Sequence, residues 1–566
     1  MKQKKIILLF FVFAFIISLF SCKKEKFNIN QNPNEATDST IAYNVILPAA
    51  QNSTARVVSR SWGWLQNYLG YWARSGTYAP NTEEETYEIT TNFQSGIWSS
   101  MYDNLYDYQT MQIGANKAHA DFYEGIARIM KAHNFAILVD LYNNIPYTEA
   151  LKGAAITTPK YDKGIDIYKD LLRQVDTGIS LITNADESET GPNASIASDD
   201  IMFGNKLFPA TAVSDMKTRW AQFGNTLKLR ILTKFMNGGI EINSTNTVGT
   251  VATYAISRGE LDQEFTDINN EGSGFLDFNA EVQPGYQADK GNPFFNSYVA
   301  DDAGSATGNS VYYKANSYAV GQGVSGDNGY YGYNGDLRRN KFYKAPTSGA
   351  YTGVYRGVDY GIPANTINAA GNLAGIGVGV YRGVDQPQWI LTSAESYFLQ
   401  AECSHRGFNV GSVSADQLLA SGIVASFTSL GLTTPNANTY IVNNAGYPDV
   451  DYFSPEYDPG NGFPVQGGLF TIITQKWFAL NAIAPFEVWS DYRRVDFNAT
   501  TNHFVYGLSV GFSAGPAIST NPANVRSVLP KRLLYPQNEY LYNPTNVSSQ
   551  GSQGAYPFSS IFWDLN

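Results

Sequence analysis

The stretch "EVWSDYRR" sets Glu487 and Asp491 four residues apart, on one face of the segment if it is helical. Two carboxyls about 5 Å apart are what a retaining glycosidase uses, one as nucleophile and one as acid and base. Arg493 and Arg494 follow within about a turn, and guanidinium groups that close hold carboxylates ionised, the wrong direction for a general acid. The segment therefore reads as an ion-pair clamp, with a surface-anchored α-helical glycosidase as the lesser alternative. Asp336 and Arg338 in "GDLRR" read in the same way, as a clasp on a turn. The four histidines, His119, His133, His405 and His503, are scattered without metal-ligand spacing. There is no glycine loop leading to a phosphate-binding lysine. No catalytic residue, no metal and no cofactor is expected.

Binding chemistry is better represented. Aromatic residues make up 14% of the chain, including 38 tyrosines and 9 tryptophans, while only 16% of residues are charged. Carbohydrate recognition needs flat rings for the apolar faces of sugars and amides or guanidinium groups for the hydroxyls. Two stretches offer both. In "SWGWLQNYLGYWARSGTYAPNTEEETYEI", Trp64, Tyr68, Tyr71 and Trp72 have helical spacing, so part of that set must be core, and Arg74, Tyr78 and Tyr87 follow in a polar loop. The other is the run holding Tyr312, Tyr313, Tyr318, Tyr330, Tyr331 and Tyr333. Tyrosine loops serve peptides equally well, so glycan against peptide stays open.

These stretches need a scaffold, and the periodicity predicts helices. Ile165, Tyr168, Leu172, Val175 and Ile179 form one apolar stripe; Phe122, Ile126, Ile129, Met130, His133 and Ile137 form a second, ending before Pro146. Trp220, Phe223, Leu227, Ile231 and Phe235 form a third. Helix follows helix without a strand pattern between, as in a solenoid or bundle of helix pairs. From about residue 239 to 388 the stripes fade into glycine, asparagine and tyrosine, an irregular insert of the kind that carries function. The heptapeptides "YRGVDYG" at Tyr355 and "YRGVDQP" at Tyr381 read as similar turns rather than a repeat architecture. Helices resume at "LTSAESYFLQAECSHRG", where Thr392 and Glu395 have capping-box spacing, Cys403 lies on the apolar face and Gly407 is the stop. "LFTIITQKWFALNAIA" and "PFEVWSDYRRVDF" continue the pattern, and "LLYPQNEYLYNPTNV" reads as an extended or turn-rich tail.

The amino terminus carries Lys2, Lys4 and Lys5, then a run from Ile6 to Phe20 that is apolar except for Ser18. That is the layout of a secretory signal, short of the roughly 20 residues a spanning helix needs. Cleavage after Ser21 would expose Cys22 as the acceptor for a diacylglyceryl group; an ordinary signal peptide with an incidental cysteine is the alternative. Acyl chains contribute about 0.8 kcal/mol per buried CH2 and hold a protein on a bilayer without a spanning helix. Losing residues 1–21 with their three lysines leaves 36 basic against 50 acidic side chains and shifts the net charge from −11 to −14, which argues against nucleic acid as a partner. With Cys22 acylated, Cys403 has no partner for an intramolecular disulfide.

Taken together, Cys22, "NINQNPNEAT", "WAQFGNTLKLRI", "GDLRRNKFY", "TSAESYFLQAE", "TQKWFAL", "EVWSDYRR" and "LLYPQNEYLYN" resemble, in order and spacing, the SusD/RagB family of Bacteroidetes outer-membrane lipoproteins, and the SusD-like subgroup in particular. The chain departs from the family at Leu337, where proline is common. The resemblance implies a mostly α fold of tetratricopeptide-like helix pairs, an α/α superhelix, with the loop-rich insert carrying the ligand site. It implies a signal peptide at 1–21, an acylated Cys22 with a flexible leash at 22–37, and one SusD-like domain at 38–566. It implies a non-enzymatic protein anchored at the outer membrane, exposed at the cell surface, that captures oligosaccharide and delivers it to a SusC-like TonB-dependent transporter; a RagB-like peptide-capturing protein and a pure scaffold are the alternatives. The expected ligand contacts are Trp72, Arg74, Tyr78, Tyr313, Tyr331 and Tyr333.

Overall fold

A computed structural model describes residues 41–188, 190–236, 256–324, 327–333, 335–455, 468–494, 518–551 and 557–564. The expected signal peptide, Cys22 and the leash lie outside the described residues. From Tyr43 onward the chain forms one compact unit.

Its frame is a succession of helices, each packed on its neighbours in sequence. Tyr43–Arg60 lies on Ser95–Ala118, which lies on Asp121–Tyr142, then Gly164–Thr183, then Val213–Phe235. The expected stripes face inward: Tyr168, Leu172, Val175 and Ile179 are buried, as are Trp220, Phe223, Leu227, Ile231 and Phe235. Ile165 is only half-buried, at the start of its helix. Asp121–Tyr142 is buried on nearly every side, and Asp121 and Glu124 in its first turn suit the positive end of the helix dipole. Two glycines bring this helix against the next. A Cβ on Gly125 would stand 2.6 Å from the Gly178 carbonyl oxygen, and one on Gly178 would stand 2.8 Å from that of Gly125, so only glycine lets the backbones touch.

A second group, Ser393–His405, Ala415–Ser429, Thr434–Asn443, Leu469–Leu480 and Pro485–Arg494, packs on the first through Ser393–His405 and Val213–Phe235. Thr392 caps its helix by accepting from the Glu395 backbone N–H. The Glu395 carboxylate does not complete a capping box; it clamps Arg230 at 2.6 and 2.7 Å. Gly407, at φ +77°, ends the helix as expected, and Cys403 is buried.

Two expectations need correction. The segment after 239 contains a regular helix, Arg258–Glu271, with a full capping box between Ser257 and Glu260 and a left-handed Gly272 at its end. Its stripe of Leu261, Phe265 and Ile268 is too sparse to stand out. The carboxy-terminal tail also coils into Gln537–Tyr542 and Pro544–Ser548, the second opened by a proline at a position that needs no N–H.

Strands are short and occur as antiparallel ribbons among the described residues. Ala280–Val282 pairs with Gln388–Leu391, so the two ends of the intervening loop-rich segment meet. Trp72–Arg74 pairs with Tyr313–Ala315. That second ribbon brings together the two aromatic stretches of the sequence.

Candidate functional site

The ribbon sets Trp72 opposite Ala315 and Arg74 opposite Tyr313. Trp72, 1% exposed, is packed among Tyr298, Tyr313 and Phe294, with ring centroids 5.2, 5.3 and 6.4 Å away. Arg74, also 1% exposed, donates from Nε to Glu85 Oε1 at 2.5 Å, from Nη1 to the Tyr78 carbonyl at 2.7 Å, and from Nη2 to the Ile362 carbonyl. Tyr331 is fully buried, and its hydroxyl donates to the Phe478 carbonyl at 2.8 Å. The expectation that these three contact a ligand is corrected: the Arg74 guanidinium and the Tyr331 hydroxyl are spent on neighbours, and the Trp72 and Tyr331 rings belong to the core, where the Trp72 indole N–H is enclosed without a hydrogen-bond partner. Tyr313 is half-buried and meets Tyr312 edge-on, with ring centroids 4.8 Å apart. Tyr78 is half-buried with its ring 5.3 Å from that of Tyr312. Tyr333 ends the short helix Gly329–Tyr333, and its side chain lies outside the described residues.

Beside this aromatic edge the loops 356–359 and 362–368, with Gln322, line a groove of about 190 Å³. The Arg356 guanidinium lies 4.5 Å from the centre of the Tyr351 ring and donates to Asn368 Oδ1 at 2.6 Å and to the Ile367 carbonyl at 3.2 Å. The Asp359 carboxylate accepts from the Ser317 hydroxyl and, at 3.4 Å, from the Gln322 amide. Asn365 braces the far wall by accepting from the Asn368 N–H at 2.7 Å. Gly357 is required here: a Cβ would lie 2.5 Å from the Asn316 backbone. Amides, a guanidinium and a carboxylate surround the apolar Ile362 and Ile367, a lining suited to a polyhydroxylated ligand with apolar faces.

The groove wall and the Tyr78 loop are one hydrogen-bonded unit. Gly76 N donates to the Asn368 carbonyl at 2.7 Å, Asn365 N to the Gly76 carbonyl at 3.1 Å, and Ala370 N to Thr77 Oγ1 at 2.9 Å. Behind them the short turn Thr82–Glu85 buries Glu84. Burial pushes the Glu84 carboxyl up to about 7, against hydrogen bonds from Asn67 at 2.6 Å and Tyr360 at 3.2 Å that favour the ionised form. The sequence reading missed Arg356 and Asp359. They stand in "YRGVDYG", whose later counterpart places Arg382 over Trp389 instead.

The pair read first as catalytic carboxyls is a buried electrostatic lattice. Glu487 faces Lys234 at 3.4 Å and Arg230 at 3.9 Å. Asp491 faces Arg494 at 2.8 Å and Lys476 at 2.9 Å. Burial would raise the Glu487 carboxyl, but Lys234 and Arg230 hold it at about 2. Arg493, expected in the clamp, instead donates to the Asp140 and Lys531 carbonyls and lies 3.5 Å from the centre of the Trp489 ring. Asp336 does clasp its turn, accepting from the Arg338 backbone at 2.9 Å and its guanidinium at 2.7 Å. Among the described residues no group of three or more His, Cys, Asp or Glu could hold a metal ion, and no helix is long and apolar enough to cross a membrane.

Residues 30–262 and 332–509 match the model of a SusD-like family described as starch-binding and associating with the outer membrane. No curated protein sequence matches the chain. Among solved structures, a chitin-binding SusD homologue from Flavobacterium johnsoniae superposes with a TM-score of 0.62 at 20% identity, over 92% of this chain and 99% of that one. A SusD-like protein from Bacteroides thetaiotaomicron gives 0.63 at 17% identity over 93% and 99%. A SusD homologue from Bacteroides fragilis gives 0.64 at 19% over the same shares. These likenesses show the mostly α fold. The family match covers well over half of the sequence, and the chain belongs to the SusD-like family, whose members bind carbohydrate rather than transform it.

Proposed function

We propose that this protein is a lipid-anchored outer-membrane receptor that captures oligosaccharide and passes it to a SusC-like TonB-dependent transporter. The observation that carries the reading is the groove between Arg356, Asp359, Asn365 and Asn368, set beside the edge formed by Tyr78 and Tyr312. Amides for hydroxyls line the groove, and a ring for stacking stands on the loop tied to its wall, the pairing sugar recognition uses. One similar structure is that of a chitin-binding protein, which supports a glycan ligand over a peptide. On this reading residues 1–21 are removed, Cys22 carries the acyl chains, residues 22–37 are the leash, and the 38–566 domain presents the 239–388 segment to the ligand. A receptor that waits on a pore must stay near it yet swing, and a lipid on a flexible polar leash allows both.

Calorimetric titration of residues 23–566 against neutral oligosaccharides and mixed oligopeptides tests the ligand class. A saturable sugar signal that Arg356→Ala weakens at least about tenfold supports the groove, on the scale of a hydrogen bond from a charged group. A sugar signal indifferent to Arg356→Ala moves the site elsewhere, and a peptide-only signal replaces glycan by peptide.

A further inference from the structure

A second cavity, of about 200 Å³, lies between the helices Ser95–Ala118, Asp121–Tyr142 and Gly164–Thr183 and the loop at 147–152, sharing no residue with the groove. Its charged lining is Arg128, Lys131 and Lys152, and no carboxylate lines it. In a chain with 50 acidic residues against 39 basic, that is a local reversal of sign.

The cations are unequal. Arg128 is neutralised from behind by Glu124 at 2.7 Å. Lys131 has no carboxylate within ion-pair distance among the described residues; its Nζ donates to Gln109 Oε1 at 2.6 Å. Burial lowers the Lys131 ammonium to about 8, with Arg128 and Lys152 pushing the same way and Glu124 and Asp170 opposing. A desolvated cation without a counter-ion is a cost that a bound anion would relieve. Beside it Gln112 Oε1 is buried with no hydrogen-bond partner, an acceptor waiting for a donor. At the rim Leu151 is held at φ +60°, a conformation that costs a non-glycine residue energy and gathers at ligand sites.

We propose that this cavity binds a small hydroxylated anion, a monosaccharide acid or acidic ester, with Lys131 and Arg128 taking the anionic group and Gln112 accepting from a hydroxyl. The neutral groove and this cationic cavity would then read different parts of the nutrient pool. Sugar acids, phosphates and sulfates share the chemistry, and the choice among them is made by the titration.

The test is calorimetry on residues 23–566 with glucuronate, glucose 6-phosphate and glucosamine 6-sulfate, using glucose and inorganic sulfate as controls. We expect saturable binding of at least one charged sugar, tighter than either control. Lys131→Met and the exposed-rim variant Lys152→Ala should each weaken it, Lys131→Met about tenfold or more, without changing neutral-oligosaccharide binding at the groove. Affinity should fall as pH rises through about 8, where Lys131 discharges. No saturable binding of any charged sugar, binding that survives both substitutions, or inorganic sulfate binding as tightly as the sugars would each overturn the proposal.

Discussion

Arg74 and Glu85 form an ion pair 2.5 Å long with both side chains fully enclosed, and the same guanidinium holds the carbonyls of Tyr78 and Ile362. One side chain thus fixes the distance between the Tyr78 loop and the groove wall. Replacing it with Met leaves the Glu85 carboxyl buried with the Asn521 amide, which donates at 2.8 Å, and the Asn81 backbone N–H at 3.4 Å. The expected loss is about 3–5 kcal/mol in urea unfolding, with weaker oligosaccharide binding in the fraction that folds. A loss under about 1 kcal/mol would mean that Asn521 and the Asn81 N–H satisfy the carboxyl without the arginine.

Tyr331 and Tyr78 should separate stability from binding. Tyr331→Phe removes the hydroxyl that donates to Phe478 and accepts from Asn481. Its unfolding free energy should drop by about 1–3 kcal/mol with affinity unchanged. Tyr78→Ala should do the reverse, lowering affinity severalfold on the scale of about 1 kcal/mol for a lost ring contact and leaving the melting temperature nearly in place. Equal effects of both substitutions on affinity would relocate the ligand toward the core tyrosine.

Acid should loosen the molecule by two routes of the same sign. Burial would raise Glu402, but Arg494 at 2.5 Å and Arg406 at 2.8 Å hold it at about 2. Its folded value lies below its unfolded one, so its stabilisation is present above about 4.5 and lost as pH falls toward 2. Burial and Arg230 lower His133 to about 4, so the unfolded chain takes up that proton first, from about 6.5 downward. Glu84 opposes that loss down to about 4.5, so urea midpoints measured from pH 8 to pH 3 should decline clearly only below about 4.5. Glu402→Gln should flatten the lower part of that curve, and an unaltered slope would reject the assignment.

Glu84 works the other way. Its folded value of about 7 lies above the unfolded 4.5, so the folded protein holds the proton more tightly and stability falls as pH rises from 4.5 through 7. Glu84→Gln should stabilise the protein at pH 8 by up to about 3 kcal/mol, at 1.36 kcal/mol per pH unit. The gain should shrink toward pH 4.5. A destabilised variant at pH 8 would show that the ionised form is the one the fold needs.

Much of the frame is legible in the sequence because helices announce themselves locally. The stripe of Trp220, Phe223, Leu227, Ile231 and Phe235, the Thr392 cap and the Gly407 stop each depend on residues within a turn or two. The Asp336 clasp is equally local. The site is not. Trp72 and Tyr313 meet through a ribbon whose strands are far apart in the chain, and no short-range pattern tells a core tyrosine from a ligand-facing one among 38. Arg74 looks like a loop arginine until Glu85 and Ile362 close around it. Arg356 and Asp359 sit in a heptapeptide that occurs twice in similar form, and only tertiary context makes one copy a groove lining.

The Asp140 carboxylate receives Lys234 at 2.5 Å and the Trp563 indole at 2.9 Å. Those partners come from segments 94 and 423 residues downstream. A chain made amino end first gains these two partners in that order, after the Tyr168 hydroxyl that donates to the same carboxylate, so the set of donors around Asp140 is completed only by the last residues. Until Trp563 arrives, closure around that carboxylate lacks one of its hydrogen bonds. An early helix is thus finished by some of the last residues of the chain.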